Sequence, residues 1–345
     1  MSRVIASCTR GAEALPEQFT TIEGIGQAGD LVLTRVVAIG AYPRVENRQG
    51  REVLLRTGDE VVGVLGERHS TTSIYGGLPA EGLKVVPGTP VDLMAVGGVI
   101  GIAASSPKTL GTATALEAVG LVAAADGSGQ PVRLTPRIGG AVGGTPVVFV
   151  GGTAAEVGKT TFAAALVHHL VTRYGLRVGV TKLAGTGRLR DLETLADAGA
   201  HCAADFVDAG LATTYGHSAE TVSGAACHLI GRLGDEGAQI IVAELGGDLW
   251  GAGIPAILTH PALSAAARGL VLVPSDTMAS LGADVWVRES GITIPVVHGV
   301  PHRNVMAARE RLGTGLGVQP VDPSDPADLE RLCGTLLATT TGEEA

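Results

Sequence analysis

The sequence predicts an α/β chain, a parallel sheet flanked by helices, preceded by a smaller, mostly-β, barrel-like domain. Three observations predict it. Over the first 140 residues, short Val/Leu/Ile-rich runs alternate with Gly, Asp and Asn turns. Farther on, continuous apolar runs alternate with amphipathic stretches of helical length. Between them, residues 136–146 are rich in Gly and poor in apolar anchors. The boundary is placed there, giving an accessory domain over 1–140 and a second domain over 141–345.

In the first domain, strands are expected at 31–40 and 60–65. Asn47-Arg48-Gln49-Gly50 reads as a hairpin turn between 42–45 and 52–55, and Thr57-Gly58-Asp59 as the next turn. A small barrel or sandwich closes such a set. In the second domain, strands are expected at 147–150, 178–181, 240–244, 269–274 and 294–298, with helices at 160–174 and 192–199. The last six residues are expected to fray.

A chain of 345 residues can bury two cores, and 45% hydrophobic against 17% charged residues suits that. With 3% aromatics, aliphatic side chains must fill the interior. The net charge of −9 and the absence of a long Lys/Arg run argue against a nucleic-acid partner. No apolar stretch approaches the roughly 18 residues that cross a bilayer, and the N-terminus lacks a signal-peptide core, so a cytoplasmic protein without a membrane partner is expected. Cys8, Cys202, Cys227 and Cys333 lie far apart, which indicates neither a disulfide framework nor a thiolate zinc site.

The chemistry concentrates after the first strand of the second domain. Val147-Val148-Phe149-Val150 is followed by a Gly-rich loop and by Lys159-Thr160-Thr161 opening a helix. Successive amides of such a loop and the helix N-terminus converge on one spot, an anion nest for a β-phosphate. Lys159 then neutralises β/γ oxygens, and the Thr160 hydroxyl ligates Mg²⁺. The expected contacts to a nucleoside triphosphate are Gly152, Thr153, Glu156, Val157, Gly158, Lys159, Thr160 and Thr161. Gly152 stands one residue earlier than the usual spacing.

Two strand ends carry charge. Lys182 is followed by Arg188, Arg190 and Asp191, and charges converging at strand ends mark sites. Asp191 reads either as a Mg²⁺ ligand or as the N-cap of the helix behind it, with Asp197 as the competing acid. Glu244 ends a buried strand, where its charge needs a partner such as Mg²⁺ or Lys.

Gly152-Thr153-Ala154-Ala155-Glu156-Val157-Gly158-Lys159-Thr160 resembles the phosphate loop of dethiobiotin synthetases and, more distantly, those of cobyrinic acid amide synthases and related P-loop ATPases. Ala154-Ala155 stands where the dethiobiotin loop carries Asp-Thr. The stretch from Val178 through Lys182 to Gly187 is similar to that family's second strand and turn, and Glu244-Leu245-Gly246-Gly247 to its Glu followed by small residues. The resemblance spans about 147–305. It implies ATP and Mg²⁺ as cofactors, with Lys159, Lys182 and Glu244 catalytic and Thr160, Asp191 and Glu244 around the metal. By the same resemblance Lys182 is expected to face the γ-phosphate and an anionic group of a small substrate, and the active form is expected to be a homodimer.

The activity this implies is phosphorylation of a carboxylate or carbamate to drive amide or ligation-type bond formation, with a small-molecule kinase as a variant. A second class stays open, a nucleotide-switched metallochaperone-like protein, because Glu244-Leu245-Gly246-Gly247-Asp248 resembles the Glu-Ser-Gly-Gly-Asp of urease-type GTPases. No Asn-Lys-x-Asp guanine signature is present, which favours ATP. Residues 205–217, with Tyr215 and His217, read as a substrate loop, or as an ordinary polar loop. Residues 68–77 read as a polar loop that could close over a site. Ser275 or Asp276 caps a helix, and the turn 297–304 sits where related enzymes hold the base.

Overall fold

The computed structural model describes residues 2–12, 15, 19–123, 128–301 and 304–338. His302, Arg303 and the tail 340–345 lie outside them. The chain forms two compact units. The first is Met1–Arg137 together with Gly185–Arg190 and Phe206–His217, and the second is Ile138–Ala184, Asp191–Asp205 and Ser218–Ala345.

The first unit is built on a closed barrel. Its strands are β1 (Leu31–Ala38), β2 (Glu60–Leu65), β3 (Pro90–Leu93), β4 (Val99–Ser105) and β5 (Thr114–Val122). Antiparallel pairs run β2-β1-β5-β3-β4, and a parallel β4–β2 pairing closes the ring. Closure removes the sheet edges that would otherwise invite pairing with other chains. Along β5, buried and half-buried positions alternate, as a strand with one face in a core requires. Leu31, Val61, Leu65, Leu93, Ile100 and Leu116 fill the interior. The expected hairpin is present, with Arg44–Glu46 paired antiparallel to Glu52–Leu54.

Glu46, at the end of that hairpin strand, is 0% exposed. Its carboxylate accepts the Ser7 hydroxyl, the Leu189 amide at 2.6 Å and the Arg190 amide at 2.9 Å. Those two amides open a helix, where backbone N–H groups have no intrahelical acceptor. The helix expected at 192–199 therefore starts three residues early, at Leu189, and Asp191 lies inside it rather than capping it.

The second unit has the P-loop α/β fold. Its strands are β6 (Val147–Gly152), β7 (Val178–Ala184), β8 (Cys202–Asp205), β9 (Ile240–Leu245), β10 (Ala267–Val273) and β11 (Val296–His298), in the order β8-β7-β9-β6-β10-β11. Every neighbouring pair is parallel. The helices are α1 (Lys159–Tyr174), α2 (Leu189–Asp197, whose first two residues belong to the first unit), α3 (Ala219–Asp235), α4 (Ile254–Thr259), α5 (Pro261–Ala266), α6 (Thr277–Glu289), α7 (Val305–Leu316) and α8 (Pro326–Ala338). Strands β6, β7 and β9 are buried along their whole length, which explains why they are apolar apart from Thr181, Lys182 and Glu244. Helix α1 turns Phe162, Leu166 and Leu170 inward and ends at Gly175, a left-handed cap whose amide reaches Leu170 and Val171.

All four cysteines are free, and burial pushes the Cys8 and Cys333 thiols up to about 12. Among the described residues, no helix is long and apolar enough to cross a membrane.

Candidate phosphate-binding site

The site begins where β6 ends. Glu156 and Gly158 both take positive φ, 60° and 98°, which curls the loop before Lys159 starts α1. Gly152 is required by close approach, since a Cβ there would lie 2.7 Å from Val157 Cγ2 and 3.0 Å from Lys159 Cδ. The Thr153 hydroxyl accepts the Ser275 amide at 2.8 Å, tying the loop to the end of β10. Val157 is buried, whereas Glu156 and Thr161 are exposed. Gly152→Ala is expected to push Lys159 out of place, costing about 1–3 kcal/mol of stability by overpacking. A thermal melt combined with a nucleotide titration checks this, and unchanged stability and affinity would contradict the packing described.

Three charged residues share one level of the sheet. Across β8, β7, β9 and β6, Asp205 pairs in register with Lys182, Lys182 with Glu244 and Glu244 with Val150. In-register residues on neighbouring strands project to the same face. Lys182 and Glu244 are only 6% and 3% exposed. Two acids and a cation are thus buried side by side on three adjacent strands, near where ligands gather in open α/β sheets.

The lysines differ in how their charge is offset. Lys182 Nζ pairs with Asp191 Oδ2 at 2.5 Å. Burial works against its charge, but Asp191 and Glu244 outweigh it and hold the ammonium above the usual lysine range. Lys159 Nζ donates to the carbonyls of Ala154 at 2.7 Å and Gly247 at 2.8 Å. For Lys159 burial wins over the attraction of Glu244, and it is pulled down to about 8. A buried ammonium held mainly by carbonyls is under-compensated, and an anion beside it supplies what is missing.

Burial pushes the Glu244 carboxyl up, against the pull of Lys182. The Thr160 hydroxyl bonds to it, while Glu244 Oε2 is buried with no hydrogen-bond partner among the described residues. An orphaned carboxylate oxygen beside a hydroxyl fits a divalent cation. Among the described residues, no three His, Cys, Asp or Glu side chains form a ready-made metal cluster. Mg²⁺ takes one or two protein oxygens and fills its shell with phosphate and water.

The structure brings together Gly152, Thr153, Val157, Gly158, Lys159, Thr160, Lys182, Asp191 and Glu244. Asp197 ends α2, about 9 Å along its axis from Asp191. Asp276 caps α6, accepting the amides of Met278 and Ala279. His298, in the turn expected near a base, pairs with Asp284 at 2.9 Å, and Asn304 caps α7. Tyr215 and His217 belong to the first unit. Asp248, quoted in the sequence only as the end of a motif and given no site role, closes the turn after β9 by accepting the Trp250 and Gly251 amides and adds negative charge near Lys159. Its place in Gly246-Gly247-Asp248 was the available signal.

No family model matches the chain, and no curated protein matches it. It is similar to solved structures that include the signal recognition particle receptor FtsY from Elizabethkingia anophelis, at 15% identity over 59% of this chain and 67% of that one, with a TM-score of 0.38. Others are a ParA family ATPase from Chlorobium tepidum TLS, at 11% identity over 58% and 94% with a TM-score of 0.34, and HypB from Helicobacter pylori in complex with nickel, at 16% identity over 59% and 92% with a TM-score of 0.31. The assignment of the second unit to the P-loop α/β fold rests on its own strand order and on the strand, loop and helix from Val147 to Tyr174.

Proposed function

We propose that the chain binds ATP with Mg²⁺ at this loop and phosphorylates a carboxylate or carbamate of a small anionic substrate, as a ligase resembling dethiobiotin synthetases. The observation that carries the reading is the convergence of two buried lysines, Lys159 and Lys182, with Glu244, one of whose oxygens lacks a partner. Lys159 takes β/γ-phosphate oxygens. Thr160 and Glu244 hold Mg²⁺, which supplies charge neutralisation on the phosphates. Asp191 keeps Lys182 aimed and can reach the metal through water. Lys182 offsets charge on the transferred phosphoryl group and on the accepting carboxylate, the kind of fixed electrostatics on which phosphoryl transfer depends. An amine then attacks the mixed anhydride, carbon–nitrogen bond formation releasing phosphate. Ala154-Ala155, in place of Asp-Thr, points to a substrate other than the biotin precursor.

One observation favours a nucleotide-switched reading beside it. Lys159 holds the Gly247 carbonyl of the loop after β9, and a phosphate that claims Lys159 competes with that bond and could release the loop.

The readings separate in an assay of ADP and GDP formation against a panel of amino acids, dicarboxylates and bicarbonate-derived carbamates. The ligase reading expects ADP only when an acceptor is supplied, and a drop of about a hundredfold or more in Glu244→Gln. Turnover unchanged by Glu244→Gln would sink the mechanism. GTP preference with hydrolysis independent of any small acceptor would favour the switch.

A further inference from the structure

Two polar segments have no part in the phosphate site, residues 68–77 and 206–217, and the first unit brings them together. Glu67, just before the first segment, lies against the second. Gly216 takes φ +78°, and a Cβ there would stand 2.6 Å from Glu67 Cδ and 2.8 Å from Oε2. The loop is shaped to let this carboxylate lie on its backbone, and glycine is what its conformation demands. His69 Nε2 meets Glu67 Oε2 at 2.9 Å. The His69 ring stacks on Tyr75, with centroids 4.7 Å apart and planes at 22°, and meets Tyr215 at 5.6 Å and 51°. Glu67 thus meets a histidine ring that itself lies between two tyrosine rings, while the carboxylate side chain stays 29% exposed.

The neighbouring cation is turned away. Arg68 donates to the Met94 carbonyl at 2.6 Å and lies over the Tyr42 ring. His217 is near Glu67, but burial holds it below the usual histidine range against the attraction of that carboxylate. It therefore stays neutral near pH 7, an acceptor rather than a counter-ion. What remains is a reachable carboxylate, a neutral imidazole and aromatic faces.

We propose that Glu67, with the rings of His69, Tyr75 and Tyr215, forms a binding site for an organic cation bearing N–H donors, an alkylammonium or a guanidinium group. The carboxylate takes charge-assisted hydrogen bonds from the ligand, and the ring faces attract its positive charge. A ligand cation takes the place of His69 at Glu67. The site lies wholly in the first unit, and the inference does not depend on the nucleotide reading.

The test is a saturation-transfer NMR titration of the full chain at pH 8, without nucleotide and at constant ionic strength. The probes are n-propylammonium and n-propylguanidinium, which separate the two cation classes, with 1-propanol as the neutral control. Saturable binding of at least one cation and none of propanol is expected. Glu67→Gln should weaken it about tenfold or more, and Tyr75→Ala, on a half-exposed ring, about three- to tenfold with an unchanged melting temperature. If Glu67→Gln does not fold, the Tyr75→Ala comparison decides. Absence of saturation with either cation, or wild-type affinity in the folded variants, would overturn the proposal.

Discussion

Lys159→Ala is expected to lose about 2–5 kcal/mol of affinity for Mg·ATP, roughly thirtyfold to several thousandfold, with the fold intact. The size follows from where the charge sits. Lys159 is 6% exposed, so solvent screens it little. Its partners are the Ala154 and Gly247 carbonyls, and it is pulled down to about 8 by burial. A triphosphate restores the missing counter-charge, and without Lys159 that gain disappears. Lys159→Arg should recover only part of it, because a planar guanidinium cannot reproduce a point charge against Val157 and Gly152. Calorimetric titration of the variants checks the prediction. Affinity within threefold of wild type in a folded Lys159→Ala would remove this residue from the phosphate site.

Glu46→Ala carries the largest expected stability loss, about 3–5 kcal/mol. The wild-type carboxylate is fully buried and satisfies the Ser7 hydroxyl and the amides of Leu189 and Arg190. Alanine leaves those donors without the acceptor they share. Negative charge at a helix N-terminus adds a favourable dipole interaction that alanine also forfeits. Glu46→Gln should cost less, about 1–2 kcal/mol. Its single carbonyl oxygen can serve Ser7 and Leu189 while its NH₂ faces the Arg190 amide, donor against donor. Urea unfolding of the three proteins gives the order wild type, Gln, Ala. Equal midpoints would show that the amides find other acceptors.

What could be read in the sequence was what is encoded locally. The strand, loop and helix around Lys159 occupy one contiguous stretch, so glycine placement and apolar pattern suffice to place them. Lys182 and Glu244 stood out because each is the one charge in an otherwise mostly apolar run, and strand register brings them side by side. Pairings across long separations were hidden. Nothing near Glu46 shows that it is buried, because its acceptor role depends on Leu189, 143 positions away. The meeting of Glu67 with Gly216 has the same origin. The sequence pattern suggested a single boundary near residue 140, and the first compact unit also takes in the later segments Gly185–Arg190 and Phe206–His217. A composition shift marks one crossing of the chain but carries no mark of short returns. The early start of α2 had no sequence signal either, since its capping acid is contributed by a distant hairpin.

The measurement that bears most directly on the central claim is a calorimetric titration of the wild-type chain with ATP, in the presence of Mg²⁺ and again in excess chelator. The arrangement of Lys159, Thr160, Lys182 and Glu244 predicts saturable binding of a single triphosphate per chain that weakens about tenfold or more when the metal is removed, because Glu244 and the phosphates then repel without a cation between them. Failure of the folded chain to bind any triphosphate at millimolar concentration, or binding indifferent to Mg²⁺, would contradict it.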